Sequence, residues 1–198
     1  MRKILLFLSF LFITVLAFPQ VKVGIKAGAN FSSLYTYSNK QTHVTGLKTG
    51  THFGASLNIP AGKNISILTE ANYNMNGGSD KGSNLLKDEY KIEYFSIPVL
   101  FKYNFETGLS LYTGPQISFS FNAKSTNSYG TSDITDNLNE VEVATIFGAE
   151  YNFKNGLFLS GRYNLGQTNI VKREYGSSDI VKNRGFTLAF GCYFGKKK

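Results

Sequence analysis

The feature that most constrains the fold is a strict alternation of apolar and polar residues, which is clearest in the stretch LSLYTGPQISFSF at 109–121. Its odd positions are mainly apolar and its even positions are mainly small or polar. A period of two is typical of a β-strand with one apolar and one polar face. The pattern leaves open which face is wet, because an apolar face packs inside a soluble barrel or sandwich but faces outward in a membrane barrel.

The same alternation recurs in eight segments after residue 20, with no helical periodicity longer than a turn. Pro98 inside the fourth segment predicts a bulge, because proline cannot donate to a β-ladder. An aromatic content of 15%, 20 glycines and only 17% charged residues are also typical of a β-rich protein. We expect strands at 21–31, 47–59, 65–75, 94–105, 109–121, 141–153, 157–166 and 186–194.

The connections between these segments alternate strictly between short and long. The short ones are PAGK at 60–63, ETG at 106–108 and KNG at 154–156, which carry the residues that hairpin turns require. The long ones are polar and rich in Ser, Thr, Asn and Gly. This order predicts an up-and-down meander whose long connections all gather at one end, at roughly 34–46, 76–89, 123–140 and 167–184.

The first 20 residues have the pattern of a secretory signal peptide, with Arg2 and Lys3 before an apolar run and cleavage expected near 17–20. An uncleaved anchor is the alternative, although the run is short for a membrane span. The expected organisation is a signal peptide at 1–20, a barrel domain at 21–195 and a basic tail at 196–198. Cys192 is the single cysteine, so neither a disulfide scaffold nor a lipoprotein is predicted. Because the lysines are scattered, we expect no nucleic-acid partner despite the net charge of +8.

Three observations favour a lipid-facing apolar surface. Glycine recurs on the polar face, as suits the crowded inside of a narrow cylinder. Charges on that face are few, and the strands are long enough to cross a bilayer when tilted. The sequence therefore predicts an all-β, eight-stranded antiparallel up-and-down transmembrane β-barrel in the cell outer membrane, with short periplasmic turns and long extracellular loops. The alternative is a soluble periplasmic or secreted barrel that binds a small apolar ligand in its core.

A barrel of eight strands is filled by its own side chains, so no pore is expected. The charged residues of the inner face should then pair as a structural ion-pair cluster. Its expected members are Lys26, His52, Glu70, Lys102, Glu150 and Arg162. The residues expected to face lipid are Phe53, Phe101, Ile117, Phe119, Phe147, Phe190 and Cys192.

Four stretches carry a resemblance to a known family: GIKAGANFSS, YFSIPVLFKYNF, LYTGPQISFSF and GRYNLGQTNI. The chain resembles the PorT family of outer-membrane β-barrels from Bacteroidetes-type bacteria along its whole mature length, most specifically at Ile97–Tyr103 and Tyr112–Gln116. The resemblance implies an eight-stranded outer-membrane barrel. The family's namesake is linked to protein secretion across that membrane, and no residue-level functional motif transfers to this chain.

Candidate chemistry is sparse. His43 and His52 are the only histidines, and neither lies in a recognisable hydrolase motif. The third long loop holds Asp133, Asp136 and Glu140 but lacks the glycine-centred spacing of a calcium loop. We therefore expect no catalytic residues, metal or cofactor.

The leading hypothesis is a non-enzymatic integral outer-membrane protein with a structural or loop-binding role, including that of an accessory to secretion. Its expected partners are outer-membrane lipid and another envelope or secretion protein that contacts the extracellular loops. A lipid A-modifying barrel enzyme is the third hypothesis, after the soluble ligand-binding barrel.

Overall fold

In a computed structural model of the chain, the structure describes residues 21–38, 40–81, 87–172 and 179–195. The expected signal peptide and the basic tail lie outside these described residues. No helix in the described part of the chain is long and apolar enough to span a membrane. One turn of 3-10 helix, Thr135–Asn137, is the helical element among the described residues.

Ten strands are formed by the described residues. Their bounds are β1 Lys22–Ser38, β2 Gln41–Val44, β3 Lys48–Pro60, β4 Ile65–Lys81, β5 Lys87–Asn104, β6 Leu109–Asn127, β7 Gly130–Asp133, β8 Val141–Asn152, β9 Leu157–Gly166 and β10 Ile180–Phe194. Eight of them are long and correspond to the eight predicted segments. The other two, β2 and β7, are four-residue strands inside the first and third long connections, where no strand was expected.

The long strands form one antiparallel sheet that closes on itself. Each strand pairs with its neighbours in the chain, and β1 also pairs with β10 from Val23↔Phe194 to Tyr37↔Ile180. Closure gives every long strand a partner on both sides, as a sheet in hydrocarbon requires. The predicted eight-stranded up-and-down barrel is therefore confirmed.

The short connections are tight hairpins at one end of the barrel. Gly108 and Gly156 end the second and third of them with φ of 90° and 94°, a conformation that residues with a Cβ rarely adopt. The backbone N–H groups of Phe105 and Phe153 donate to Leu109 and Leu157, so each turn has three residues between paired strand ends. These are glycine-dependent three-residue hairpins, as the sequence predicts.

The bulge predicted at Pro98 is wrong. Pairing of β5 with β6 keeps one register on both sides of Pro98, and the proline itself lies opposite Gln116. The register shift lies instead between Glu93 and Tyr94, where β6 holds one extra residue. Proline is accommodated without a bulge because the ladder simply omits the bonds it cannot donate.

That bulge reverses the faces of β6. Phe121 points outward and is 53% exposed, whereas Ala123, two residues further on, is fully buried inside the barrel. Without the extra residue the two would share a face, because side chains alternate with a period of two. The outer face of β6 therefore carries apolar side chains up to Phe121, and beyond it Ala123 joins the inner face.

Below the bulge the barrel has an apolar outside and a largely polar inside. Phenylalanine, leucine and isoleucine side chains are exposed around the outer surface, and the buried residues include lysine, glutamate, arginine, asparagine and serine. The apolar ligand-binding core of the soluble alternative is therefore wrong for this chain. Its apolar positions face outward and its charged ones face inward.

Candidate functional site: the lumen and the extracellular rim

In the part of the lumen nearer the short hairpins, the charged side chains are arranged around Glu70, on β4. Lys26 on β1 donates to Glu70 Oε1 at 2.6 Å, and Arg162 on β9 donates to Oε2 at 2.8 Å. All three side chains are nearly inaccessible to solvent. Charge-assisted hydrogen bonds of this length are among the strongest in proteins, and in a buried site each partner depends on the others.

His52 extends this group. Its Nδ1 lies 2.6 Å from Asn74 Oδ1, and its Nε2 lies 3.3 Å from Arg162 Nη2. A guanidinium can only donate, so Nε2 accepts the hydrogen bond and Nδ1 carries the proton. His52 is therefore a neutral ring that orients Arg162 rather than a second cation.

Lys102 and Glu150 form a separate pair across the lumen, from β5 to β8. Tyr193 donates its hydroxyl to Glu150 Oε2 at 3.2 Å, and the Lys102 ammonium lies 5.3 Å from the centre of the Tyr193 ring. The six predicted luminal residues thus lie inside the barrel as two adjoining clusters, one on Glu70 and one on Glu150. We refer to these six residues as the luminal network.

The lumen also contains side chains that the sequence analysis did not single out. Leu68, Leu100, Tyr112 and Ile146 pack against one another inside the barrel, although each lies on the face expected to be polar. Gly148 makes this possible, because a Cβ at that position would collide with the Tyr112 ring. Together the ion pairs and this apolar cluster occupy the interior of the barrel.

On the outside of the barrel, six of the seven positions expected to face lipid are exposed. Phe53, Phe101, Phe147 and Phe190 are about half exposed, and Cys192 is partly buried. Aromatic pairs lie at both ends of this surface, for example the stacked rings of Phe53 and Tyr73 and the edge-on rings of Tyr151 and Phe153. We call the outward-facing apolar residues of the long strands the apolar belt; its other expected members, Ile117 and Phe119, are also exposed.

The strands continue beyond the apolar belt at the end that carries the long connections. Here buried apolar side chains from three strands and two long connections meet inside the sheet. We call this cluster the rim core; its members are Leu34, Ile92, Tyr94, Ala123, Leu138 and Ile170.

Backbone hydrogen bonds tie the long connections over the rim core. Asn139 N–H donates to the Ile170 carbonyl at 2.8 Å, and Ile170 N–H donates to the Val181 carbonyl at 2.9 Å. Leu138 and Val171 form an isolated antiparallel bridge. The described parts of the third and fourth long connections are therefore ordered structures that cover the barrel end.

The acidic residues of the third connection serve this local structure. Asp133 Oδ1 accepts a hydrogen bond from the backbone N–H of Thr135 at 2.8 Å, which lowers the pKa of the Asp133 carboxyl. Asn139 donates its side-chain amide to two backbone carbonyls, of Asn169 and Val171. Within the described ranges, no three His, Cys, Asp or Glu side chains are grouped as metal ligands.

The two histidines lie in different environments. His43, on β2, is exposed and its Nε2 lies 2.8 Å from Asp80 Oδ2, whereas His52 is buried in the luminal network. Among the residues that the structure describes, neither ring is hydrogen-bonded to a serine or threonine hydroxyl or to a thiol. A histidine–carboxylate pair is present at the rim, but the nucleophile that an acyl-transfer site requires is not part of it.

A closed antiparallel sheet with an apolar outer belt, a filled lumen and long connections at one end defines an integral outer-membrane β-barrel. The chain belongs to the family described as Outer membrane protein beta-barrel domain, which it matches over residues 18–172. The outer membrane is accordingly its location. No curated protein matches the sequence.

Two solved structures show the same fold. Neisserial surface protein A shares 11% identity, with 87% of this chain and 97% of that chain covered and a TM-score of 0.63. Ail, the attachment invasion locus protein of Yersinia pestis, solved in complex with the heparin analogue sucrose octasulfate, shares 14% identity, with 88% and 99% covered and a TM-score of 0.51. Likenesses at such low identity establish the architecture and not the activity.

Proposed function

We propose that the chain is a non-enzymatic outer-membrane protein that acts through its extracellular rim, with the barrel as a closed scaffold. The observation that carries this proposal is the rim itself. The ends of β1, β5 and β6 continue past the apolar belt and contribute residues to the rim core, and β2 and β7 lie there with all residues exposed. Loops held on a rigid scaffold are where binding residues concentrate.

The filled lumen supports a role other than transport. The luminal network and the Leu68–Ile146 cluster occupy the barrel, and the rim core lies above them. An interior packed with side chains leaves no room for a water-filled pore. Purified protein in a planar bilayer should therefore show no steady conductance, and a stable open channel would contradict the proposal.

The partner we propose is another protein of the envelope, including a component of a secretion machine. The finer resemblance to the PorT family at Ile97–Tyr103 and Tyr112–Gln116 supports this choice. The test is a deletion strain scored for secreted proteins and for envelope integrity. It should be complemented either by the natural chain or by a variant in which the rim strand Gly130–Asp133 is replaced with a glycine–serine segment.

The rim variant should insert and fold but fail to restore the phenotype, because β7 is exposed and packs against one strand only. A matched control replaces the exposed periplasmic turn at 154–156 with another three-residue turn that ends in glycine. Full rescue by the rim variant would argue against rim-mediated binding. Normal secretion in the deletion strain would argue against the secretion role specifically.

An anionic saccharide is a second class of ligand for the rim. Ail has been solved with a sulfated sugar, and this chain carries more cations than anions, with a net charge of +8. Binding of sucrose octasulfate to the purified protein, compared at low and high salt, tests this directly. Absence of binding at low salt would remove this candidate and leave a protein partner.

An enzymatic role is disfavoured because His43 and Asp80 lack a hydrogen-bonded nucleophile in the described chain. Folded protein mixed with lipid A should release no fatty acid. Release that is lost in the His43→Ala variant would overturn the non-enzymatic proposal.

The apolar belt is proposed to contact lipid acyl chains directly. Cys192 is the single cysteine, so an environment-sensitive fluorophore can be attached there in reconstituted vesicles. Lipid-borne quenchers should reduce its emission more than aqueous quenchers do. Stronger quenching from the aqueous phase would show that this part of the belt does not face lipid.

A further inference from the structure

A small polar cavity lies in the upper lumen, between the luminal network and the rim core. Residues from β1, β4, β6, β8, β9 and β10 line it, among them Gln116, Glu142, Asn164 and Asn183. Its volume of about 10 Å³ admits one occupant of the size of a water molecule.

Glu142 brings a negative charge to this cavity with no cation beside it. The side chain is 4% exposed, and no lysine, arginine or histidine nitrogen of the described chain lies within 4.0 Å of its carboxylate. The luminal cations are already engaged, Lys26 and Arg162 by Glu70 and Lys102 by Glu150. A buried carboxylate without a counter-charge is strongly unfavourable.

Arg184 borders the cavity but does not supply that counter-charge. On β10 the odd-numbered residues point inward, as the buried Asn183 and Thr187 show. Arg184, at an even-numbered position, therefore points outward. Its guanidinium carbon lies 4.2 Å from the centre of the Tyr35 ring, on the outer surface. The charge of Arg184 therefore lies on the other side of the sheet from the Glu142 carboxylate.

The Asn183 side chain engages both N–H groups of its amide with neighbouring side chains of the lumen. Asn183 Nδ2 donates to Glu142 Oε2 at 2.8 Å and to the Tyr94 hydroxyl at 2.9 Å. Its Oδ1 is buried and accepts no hydrogen bond from the described residues, although the residue is only 5% exposed. This is an oxygen ligand without a partner, held next to a carboxylate that has hydrogen-bond donors but no cation beside it.

Two further amide side chains, those of Gln116 and Asn164, also line the cavity. Gln116 Nε2 donates to Ser118 Oγ and Asn164 Nδ2 donates to Thr187 Oγ1, each at 3.0 Å. Each of these amides keeps its carbonyl oxygen as an acceptor that a cation in the cavity can use, together with one further N–H. The Glu142 carboxylate and the amide oxygens of this lining are groups that suit a cation.

We propose that this cavity is a binding site for one monovalent cation of the size of sodium, with Glu142 and Asn183 as its principal ligands. One bound charge neutralises one carboxylate. A calcium site would take six to eight oxygen ligands and normally more carboxylates than one. Gly166 keeps the site open, because a Cβ there would lie 2.9 Å from Glu142 Oε1.

The test is the thermal unfolding of the purified full-length protein in a zwitterionic detergent, followed by circular dichroism. N-methylglucamine chloride is exchanged for sodium chloride at constant ionic strength, since N-methylglucamine is too large to enter. The midpoint should rise by about 2 °C or more in sodium, because a ligand that binds only the folded state stabilises it. An unchanged midpoint would overturn the proposal, and a larger rise with calcium chloride would overturn the monovalent assignment.

The variant Glu142→Gln should lose the sodium response, whereas Glu140→Gln should keep it, because Glu140 is exposed outside the cavity. A sodium response that survives in Glu142→Gln would show that the ion binds elsewhere. Should that variant fail to fold, line broadening of the sodium-23 resonance by the natural protein replaces it. Broadening that potassium chloride competes away supports the site, and no broadening above a detergent blank counts against it.

Discussion

The same strands run through the membrane-spanning barrel and the extracellular rim, but the two regions differ in which side chains face outward. The outer surface is apolar in the barrel and mainly polar in the rim. In the barrel, Phe147 is exposed and Glu70 is buried. In the rim, Ile92 and Leu138 are buried, while the four residues of β7 are exposed. The difference follows from the solvent, because hydrocarbon surrounds one region and water surrounds the other.

On one strand the change of polarity coincides with an interruption of the regular alternation of side chains. On β6 this interruption is the extra residue opposite Glu93 and Tyr94, which moves Ala123 to the inside. On β5 no shift is needed, because Ile92 and Tyr94 occupy inward positions already. The comparison teaches that one inserted residue can switch a strand from lipid to water.

The largest effect should come from removing the carboxylate that holds the luminal network. Glu70→Ala leaves Lys26 and Arg162 buried without their partner, and we expect it to destabilise the barrel by about 3–5 kcal/mol. Urea unfolding in lipid vesicles, followed by circular dichroism, measures this. Glu106→Ala, at an exposed turn residue, is the control, and an equal loss in both variants would contradict the structural role of the network.

The second-largest effect should come from a charge placed on the outer surface, which should lower the unfolding free energy in the barrel but not in the rim. Phe147→Lys lies in the apolar belt, so it should cost about 2–4 kcal/mol because a lysine must enter the hydrocarbon. Tyr129→Lys, at a residue 90% exposed in the rim, should cost almost nothing. Unfolding free energies from the same urea titration give both numbers. Equal tolerance at the two positions would mean that the belt is not in lipid.

A smaller and more local effect is expected in the rim core. Leu138→Ala removes a side chain that is 5% exposed, and should weaken the rim by about 2 kcal/mol while the barrel keeps its stability. Hydrogen exchange of the Asn139 and Ile170 amides should accelerate, and exchange in β4 and β5 below the bulge should not. Thr131→Ala, on exposed β7, is the matched control. Acceleration throughout the barrel would show that the two regions unfold together.

The smallest effect concerns the Asp133 carboxyl, whose pKa is lowered by the hydrogen bond from Thr135 N–H. A lowered pKa in the folded state means that the carboxylate stabilises the rim above the pKa of an unfolded aspartate. This stabilisation disappears as the pH falls through the lower, folded value. A carbon-13 titration of the carboxyl in the folded and the urea-unfolded protein measures the difference. Identical titration curves would contradict it.

Much of the fold could be predicted from the sequence because its information is local. The alternation in 109–121 is visible within one strand, and the glycines at 108 and 156 fix the hairpins. The strand extensions were missed: β10 begins at Ile180 and not at residue 186, because its added residues alternate too weakly to indicate a strand. They become a strand by pairing with Leu34–Tyr37, far away in the chain.

The luminal residues were predictable as a set but not as contacts. The alternation of side chains along each strand places Glu70 and Arg162 inside the barrel. They lie 92 residues apart in the chain, and only closure of the sheet brings them together. Glu142 also falls on the inward face of its strand, but no pattern in the sequence indicates that it lies apart from the luminal network, beside Asn183. The role of His52 as a neutral acceptor likewise depends on Asn74 and Arg162, which neither spacing nor composition reveals.

The sequence by itself determined that this chain forms alternating strands joined by short and long connections, since a period of two is written residue by residue. The tertiary structure alone decided the bulge at Glu93–Tyr94, the pairings across the lumen and the position of the rim core. The physical reason is the range of the interactions. Alternation needs only neighbouring residues, whereas register, closure and the contacts of buried charges depend on strands that meet across the whole barrel.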